Sequence, residues 1–409
     1  MAHRTTIYEL EVEYLCVMRV GPAGSTSPAE RVPLRTIARE WARLGCIGFG
    51  GPPTHVALLR RMCVDEHRWL DAEEFEDGIA ATNLLPGPAS TQLAIFCAWR
   101  LRGAVGAIVG GLCFIVPGLV LILGLSAILL ARDPPSWILG AAAGASAAVP
   151  IIALGAAWGL APSSWRRVSD DRAARARWCT YAVAGALTAA IAGELLVVVL
   201  LVIGILEIVV RRSGPHSARA AIPAVIAHAA TMGGLGALTW VSIKVGALSY
   251  GGGFVIVPLM QHDAVATYHW MTGAQFLNAV ALGQITPGPI VLTVAVVGYA
   301  AAGIGGGLLA AALAFAPSFV FVIGGAPRFD SIRRNATVQS FFSGAGPAVI
   351  GAIAGSSIPL GIALGHLWQL PLLACAAVAF FVIRRSVVSV MLLAGSIGVI
   401  AALAGAHVR

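Results

Sequence analysis

The chain has 409 residues, of which 58% are hydrophobic and 11% charged. A soluble globular domain carries about a quarter charged residues, so this composition excludes one and reads as a polytopic membrane protein. The formal net charge of +8 does not point to nucleic acid: 20 of the 26 arginines precede Ala220, and most fall between apolar runs, as in the basic loops of membrane proteins.

Residues 1–33 contain no apolar core of the kind a cleaved signal needs, and Glu9, Glu11 and Glu13 interrupt them. They are expected to form a tail. Arg31, Arg35, Arg39 and Arg43 then recur every four residues, along one side of a helix that places Ile37, Trp41 and Leu44 elsewhere. The first apolar stretch, 45–59, is broken by Gly50, Gly51, Pro52 and Pro53. Residues 78–99 form a second broken stretch, which holds Asn83-Leu-Leu-Pro-Gly-Pro88. A proline removes a backbone N–H and clashes one turn back, so Pro86-Gly87-Pro88 does not continue a helix. Segments 103–131 and 137–160 are long enough to span, since about 20 helical residues cross the hydrocarbon. Segment 178–210, with Gly193-Glu194 at its middle, reads as two short crossings, and Glu194 reads as the buried acid of the chain.

After a polar connector at 213–232, the plan repeats. An offset of 201 aligns Phe49-Gly-Gly51 with Tyr250-Gly-Gly252, Arg43 with Lys244, Trp69 with Trp270, and the first Pro-Gly-Pro with Gln284-Ile-Thr-Pro-Gly-Pro289. An offset of 200 aligns Gly103, Gly106 and Pro117 with Gly303, Gly306 and Pro317. The domain plan is therefore a tail (1–33), a first membrane repeat (34–212), the connector (213–232) and a second repeat (233–409). Arginines are numerous in the loop 165–177 and lacking in its partner 366–370, while the bias reverses at Arg384-Arg385, so corresponding loops face opposite sides. This predicts an all-α protein of about 10–13 transmembrane or re-entrant helices in two inverted repeats. Inversion requires one broken stretch per half to be re-entrant, or an extra crossing.

Phe49-Gly-Gly-Pro52, Leu84-Leu-Pro-Gly-Pro-Ala-Ser-Thr-Gln-Leu93, Tyr250-Gly-Gly-Gly253 and Gln284-Ile-Thr-Pro-Gly-Pro289 resemble the signatures of the chromate ion transporter family, in the same order, with the likeness running over about residues 36–405 of both halves. The resemblance implies chromate efflux across a bacterial inner membrane, driven by membrane potential or proton gradient and conferring chromate resistance. Two alternatives stay open, a permease for sulfate or a related oxyanion and a passive anion channel.

The residues support an anion site without that likeness. Helices broken at Pro86-Gly87-Pro88 and Pro287-Gly288-Pro289 would leave free N–H groups and positive dipole ends inside the bilayer, which attract anions. Asn83, Ser90, Thr91 and Gln92 flank the first break, and Gln284 and Thr286 the second, with Thr293 beyond; the other reading of both breaks is a packing kink. Lys244 is the only lysine and has no acid near it in sequence, so it is a candidate ligand with Arg43, or else it snorkels to an interface. Gly50, Gly51 and Pro52, with Gly251, Gly252 and Gly253, would let backbone approach the ligand, and His55 beside them is either titratable or a packing residue. Nothing in the pattern suggests an enzyme, a cofactor or a metal site. The expected partners are the bilayer and chromate or sulfate, with no nucleic acid and room for a homodimer.

Overall fold

The computed structural model describes residues 32–83, 85–168, 171–212, 234–249, 254–325 and 335–407, all helix or short connection, with no strand among the described residues. Residues 1–31 of the expected tail, the connector, and Gly251, Gly252 and Gly253 lie outside the described residues.

Each half opens with two helical hairpins that enter and leave by one face. In the first, α1 (Leu34–Ile47) runs in and α2 (Pro52–Arg60, continued by a π-helical segment, Arg61–Glu66) runs back. The return brings Trp69 alongside α1, where it stacks on Trp41 with ring centroids 6.3 Å apart. Arg35, Arg39 and Arg43 are exposed on α1, whereas Ile37 and Trp41 are fully buried, as the four-residue spacing requires. In the second hairpin, α3 (Ala72–Thr82) runs in and α4 (89–101) runs out, with Pro86-Gly87-Pro88 at the turn. A β-carbon on Gly78 would lie 2.5 Å from the Phe96 ring, and Glu74 pairs with Arg100 at the open end.

The helical stretch Ala89–Leu129 is not one rod. Arg102 and Gly103 leave helical geometry (Gly103 φ 60°), and the chain doubles back into a long arm, α5 (104–129). Gly111 packs against Ile95, which along a continuous helix would be about 24 Å away at ~1.5 Å per residue. The rest of the half crosses between faces: α6 (Ser136–Ala147) with α7 (Val149–Arg166), then α8 (Arg172–Ile191) and α9 (Leu196–Arg212). The break expected at Gly193-Glu194 is there, as a 3-10 turn, Gly193–Leu195.

The second half repeats these elements. α10 (Leu235–Leu248) is followed by α11 (Ile256–Gln261, continued by a π-helical segment, His262–Thr267), and α12 (Gly273–Ile285) leads to the second Pro-Gly-Pro. The stretch Thr293–Gly325 doubles back at Ala302-Gly303 into α13 (293–301) and α14 (304–325). α15 (Ala336–Ile362), α16 (Gln369–Ala377, continued to Val382) and α17 (Val387–Leu403) complete the chain.

Directions follow from paired contacts. Gly111 meets Phe319 while Gly307 meets Leu123, so α5 and α14 run antiparallel. Gly351 meets Ala182 and Gly355 meets Ala186, so α8 and α15 run the same way. Gly140 meets Ala402 and Gly144 meets Ala394, so α6 and α17 oppose each other. These relations hold together only if the halves enter from opposite faces, as an inverted repeat does. Both broken stretches of each half are re-entrant, where the sequence asked for one re-entrant stretch per half or an extra crossing. This corrects the crossing arithmetic, because whether a Pro-Gly turn kinks a helix or reverses it depends on contacts such as Gly78 to Phe96, which are remote in sequence. One face then carries Arg68, Arg100, Arg102, Arg166, Arg172, Arg384 and Arg385, and the other carries Arg132, Asp133 and Glu194.

Small residues make the close crossings. A side chain on Gly351 would overlap the Ala182 carbonyl, and one on Gly246 the Ala314 carbonyl. Large apolar side chains such as Val120, Ile191 and Ile362 stay on the outside, where lipid covers them. Among the described residues, five stretches are long and apolar enough to cross a bilayer by length and composition.

Gly351→Val is expected to lower stability by about 1–3 kcal/mol through overpacking, read as a fall in the detergent unfolding midpoint. In a cysteine-free background, Arg102→Cys and Ala302→Cys are expected to react with an impermeant thiol reagent from opposite faces of sealed vesicles. Labelling of both from one face would contradict the inverted arrangement.

Candidate functional site at the meeting of the hairpin turns

Each proline turn is built from two constraints. Gly87 (φ 130°) and Gly288 (φ 99°) take backbone angles that side chains avoid, and the prolines on either side end one helix and start the next. The outgoing helices begin after Pro88 and Pro289 with no side-chain cap. The first N–H groups of a helix have no partner within it, so the start at Ala89, and the start at Ile290 of the 3-10 turn Ile290–Leu292 that leads into α13, present donors and the positive end of a dipole.

The turns meet across the repeats. The Gly288 N–H donates to the Gly48 carbonyl at 3.0 Å, tying the second proline turn to the first glycine turn. His55, 1% exposed, donates from Nε2 to the same carbonyl at 2.9 Å. Its Nδ1 faces Ser90 Oγ at 3.2 Å, so in the neutral ring Nδ1 accepts from that hydroxyl. His55 thus joins the glycine turn to the start of α4. Gly51 lies against Ile290 and Gly118 under the Pro287 carbonyl, and a β-carbon on Gly87 would lie 3.2 Å from Ser318 Oγ. Gly118 and Ser318 occupy equivalent places near the middle of α5 and α14, so both proline turns rest on the crossing of the two long arms.

Buried polar atoms without partners collect here. Gln92 Nε2 donates to the Pro86 carbonyl at 2.7 Å, which leaves Gln92 Oε1 unpaired. Thr91 Oγ1, Gln284 Nε2, Ser318 Oγ and Ser249 Oγ are unpaired too. Leaving such an atom buried and unsatisfied costs about 1–3 kcal/mol, so the four on or against the proline turns, of Thr91, Gln92, Gln284 and Ser318, mark a place that a polar ligand or water completes. Thr286 and Thr293 differ, since their hydroxyls donate to the carbonyls of Leu282 and Ile290.

A cavity of about 540 Å³ reaches this region from the arginine-bearing face. Asn83, the last residue before the first proline turn, lines it and is exposed, although it lies a whole helix in from that face. Arg167, Arg177, Arg211, Glu207 and Tyr181 also line it. None of these five is a candidate by sequence pattern, since the pairing of Arg177 with Glu207 spans 30 residues.

Several expectations change. Lys244 is not a lone cation: it pairs with Asp263, 19 residues on, and the two side chains are 12% and 14% exposed. The return of α11 alongside α10 brings them together. Arg43 is not at the turns; its side chain is 64% exposed and lies 3.8 Å from Glu40. Glu194 is 67% exposed, whereas Glu207 and Glu40 are the buried acids among the described residues. Pro52 starts α2, and Gly50 and Gly51 (φ 98° and 79°) form the first glycine turn.

The chain matches the Chromate transporter family over residues 35–208 and 236–400. It is 32% identical over 397 residues to a chromate transport protein of Cupriavidus metallidurans, covering 93% of this chain and 96% of that one. A probable chromate transport protein of Synechococcus elongatus is 29% identical over 343 residues (80% and 84% of the two chains), and a chromate transport protein of Pseudomonas aeruginosa is 28% identical over 337 (78% and 79%). No solved structure matches the chain. With two matched halves, re-entrant hairpins and apolar crossings, this multi-pass membrane protein belongs to the chromate transporter family.

Proposed function

We propose that the chain is a secondary transporter that exports chromate across a bacterial inner membrane by alternating access, and that the hairpin turns hold the anion. The observation that carries this reading is the cluster of unpaired buried polar atoms beside two helix starts that approach from opposite faces. A tetrahedral dianion has four acceptor oxygens, and helix N–H groups, the Gln284 amide and the hydroxyls of Thr91 and Ser318 are donors suited to it. Thr91, Gln284 and Ser318 supply the free donors, and Asn83, Ser90, Gln92 and Thr286 flank them around Pro86-Gly87-Pro88 and Pro287-Gly288-Pro289, with the repeats 34–212 and 233–409 contributing one turn each.

Orientation and state support export. The arginine-bearing face is the cytoplasmic one by the bias of basic residues, and the cavity leads from that face to Asn83. On the opposite side α6 and α17 close on each other through Gly140, Gly144, Ala394 and Gly398. The halves are thus in unequal conformations, and exchanging them would open the other side, which is how inverted repeats alternate access. Potential or proton gradient supplies the drive, a cytoplasmic dianion leaving down an inside-negative potential.

In everted vesicles, labelled chromate uptake is expected with an imposed potential or pH gradient, and Gln284→Ala is expected to lower its maximal rate about tenfold by removing a charge-assisted donor. Uptake of sulfate as fast as chromate would replace the substrate, and currents far above carrier turnover would replace the carrier with a channel. Lys244→Ala is expected to destabilise the protein by about 3 kcal/mol by leaving Asp263 unpaired, and the double change with Asp263→Ala to recover most of it. A Lys244→Ala protein that unfolds normally yet carries no chromate would return Lys244 to the anion site.

A further inference from the structure

The arginine-lined cavity has features that access alone does not require. Glu207, with its side chain 4% exposed, accepts from Arg177 Nε at 3.2 Å on one oxygen and from Arg211 Nε at 2.8 Å on the other. Tyr181 donates its hydroxyl to Glu207 Oε2 at 3.1 Å. Two guanidinium groups share one carboxylate, which leaves one positive charge in excess, and Arg167 adds another on the same wall. Both paired guanidinium groups keep access to the cavity, at 31% and 46% exposure.

The network is not needed to pack the helices. α9 of the first repeat lies on α15 of the second with Glu207 beside Gly344, while the symmetry-related pair, α6 of the first repeat and α17 of the second, meets through Gly140, Gly144, Ala394 and Gly398, and neither helix carries a charged residue. A buried carboxylate holding two arginines in place of such a contact adds desolvation that packing does not repay. Its effect is to fix two forked donors on the wall of the cavity, where a low-dielectric surround strengthens their field.

We propose that this cavity is an antechamber, a second anion site in which Arg177 and Arg211 capture a tetrahedral dianion from the arginine-bearing face before it moves on to the proline turns. Glu207 is the positioning residue. It holds both arginines at the wall and yields part of their hydrogen bonding to the arriving anion, and its own charge keeps capture weak enough for onward transfer. Asn83, exposed in the same cavity, is the first group of the inner site that the anion meets. The inference rests on the transport reading above but adds a site that reading does not contain.

The test is the concentration dependence of labelled chromate uptake in everted vesicles, which present the arginine-bearing face outward. Arg177→Gln and Arg211→Gln are each expected to raise the half-saturation concentration about tenfold, with the effect falling on half-saturation more than on maximal rate, and Arg→Lys at either position to recover part of it. Gln284→Ala acts on maximal rate, so the two sites give separable signatures. For the unaltered protein, raising ionic strength from about 20 to about 200 mM is expected to raise half-saturation as the capturing charges are screened, a measurement that does not depend on how the variants fold. Half-saturation insensitive to salt and to both substitutions, with Gln284→Ala still impaired, would overturn the antechamber and leave the inner site standing. Absence of saturable chromate uptake by the unaltered protein would overturn both.

Discussion

The structure depends on how interrupted backbone is satisfied where no water is available. A helix that breaks within a bilayer exposes N–H and C=O groups that lipid cannot pair, so the breaks survive only against protein or a wet cavity. Here the Gly48 carbonyl takes two donors at once, the Gly288 N–H of the opposite repeat and His55 Nε2 of its own. That acceptor joins the repeats at the point where both are irregular. It also leaves the neighbouring helix starts free for something else, since their donors are not used in holding the turns.

The long arms provide the support beneath. α5 and α14 cross antiparallel, and each carries a small residue, Gly118 or Ser318, under the opposing proline turn. A larger side chain at Gly118 would strike the Pro287 carbonyl. The short arms set the depth: α4 has 13 residues, about 20 Å of helix, against a hydrocarbon core of about 30 Å, so a turn at its inner end lies well inside the membrane. Length, small residues and proline placement therefore all specify the same meeting point.

Much of this is legible in the sequence where the cause is local. Pro-Gly-Pro breaks a helix whatever surrounds it, and a repeat of 201 residues needs no structure to be seen, so the duplicated halves, the inverted sense of their loops and the polar flanks at Gln92 and Gln284 can be read directly. What cannot be read depends on chain reversal. The partner of Lys244 is 19 residues away, Glu207 is 30 residues from Arg177, and the broken apolar stretches at 45–59 and 78–99 do not show in composition whether they continue through the bilayer or fold back at their breaks. Hydropathy sums over a hairpin as it does over a rod. Ser318, a serine within an apolar helix, has no local signature, and only its place beside Gly87 gives it a meaning.

A tetrahedral dianion held where the two proline turns converge is the central claim. The most direct measurement is an anomalous difference map, or a cryo-electron microscopy map, of the protein soaked with molybdate, a heavy tetrahedral dianion whose position is unambiguous. The account predicts a peak within hydrogen-bonding reach of the helix starts at Ala89 and Ile290, close to Gln284 and Ser318. A map with those turns packed dry and the density confined to Lys244 or Arg43 would contradict it.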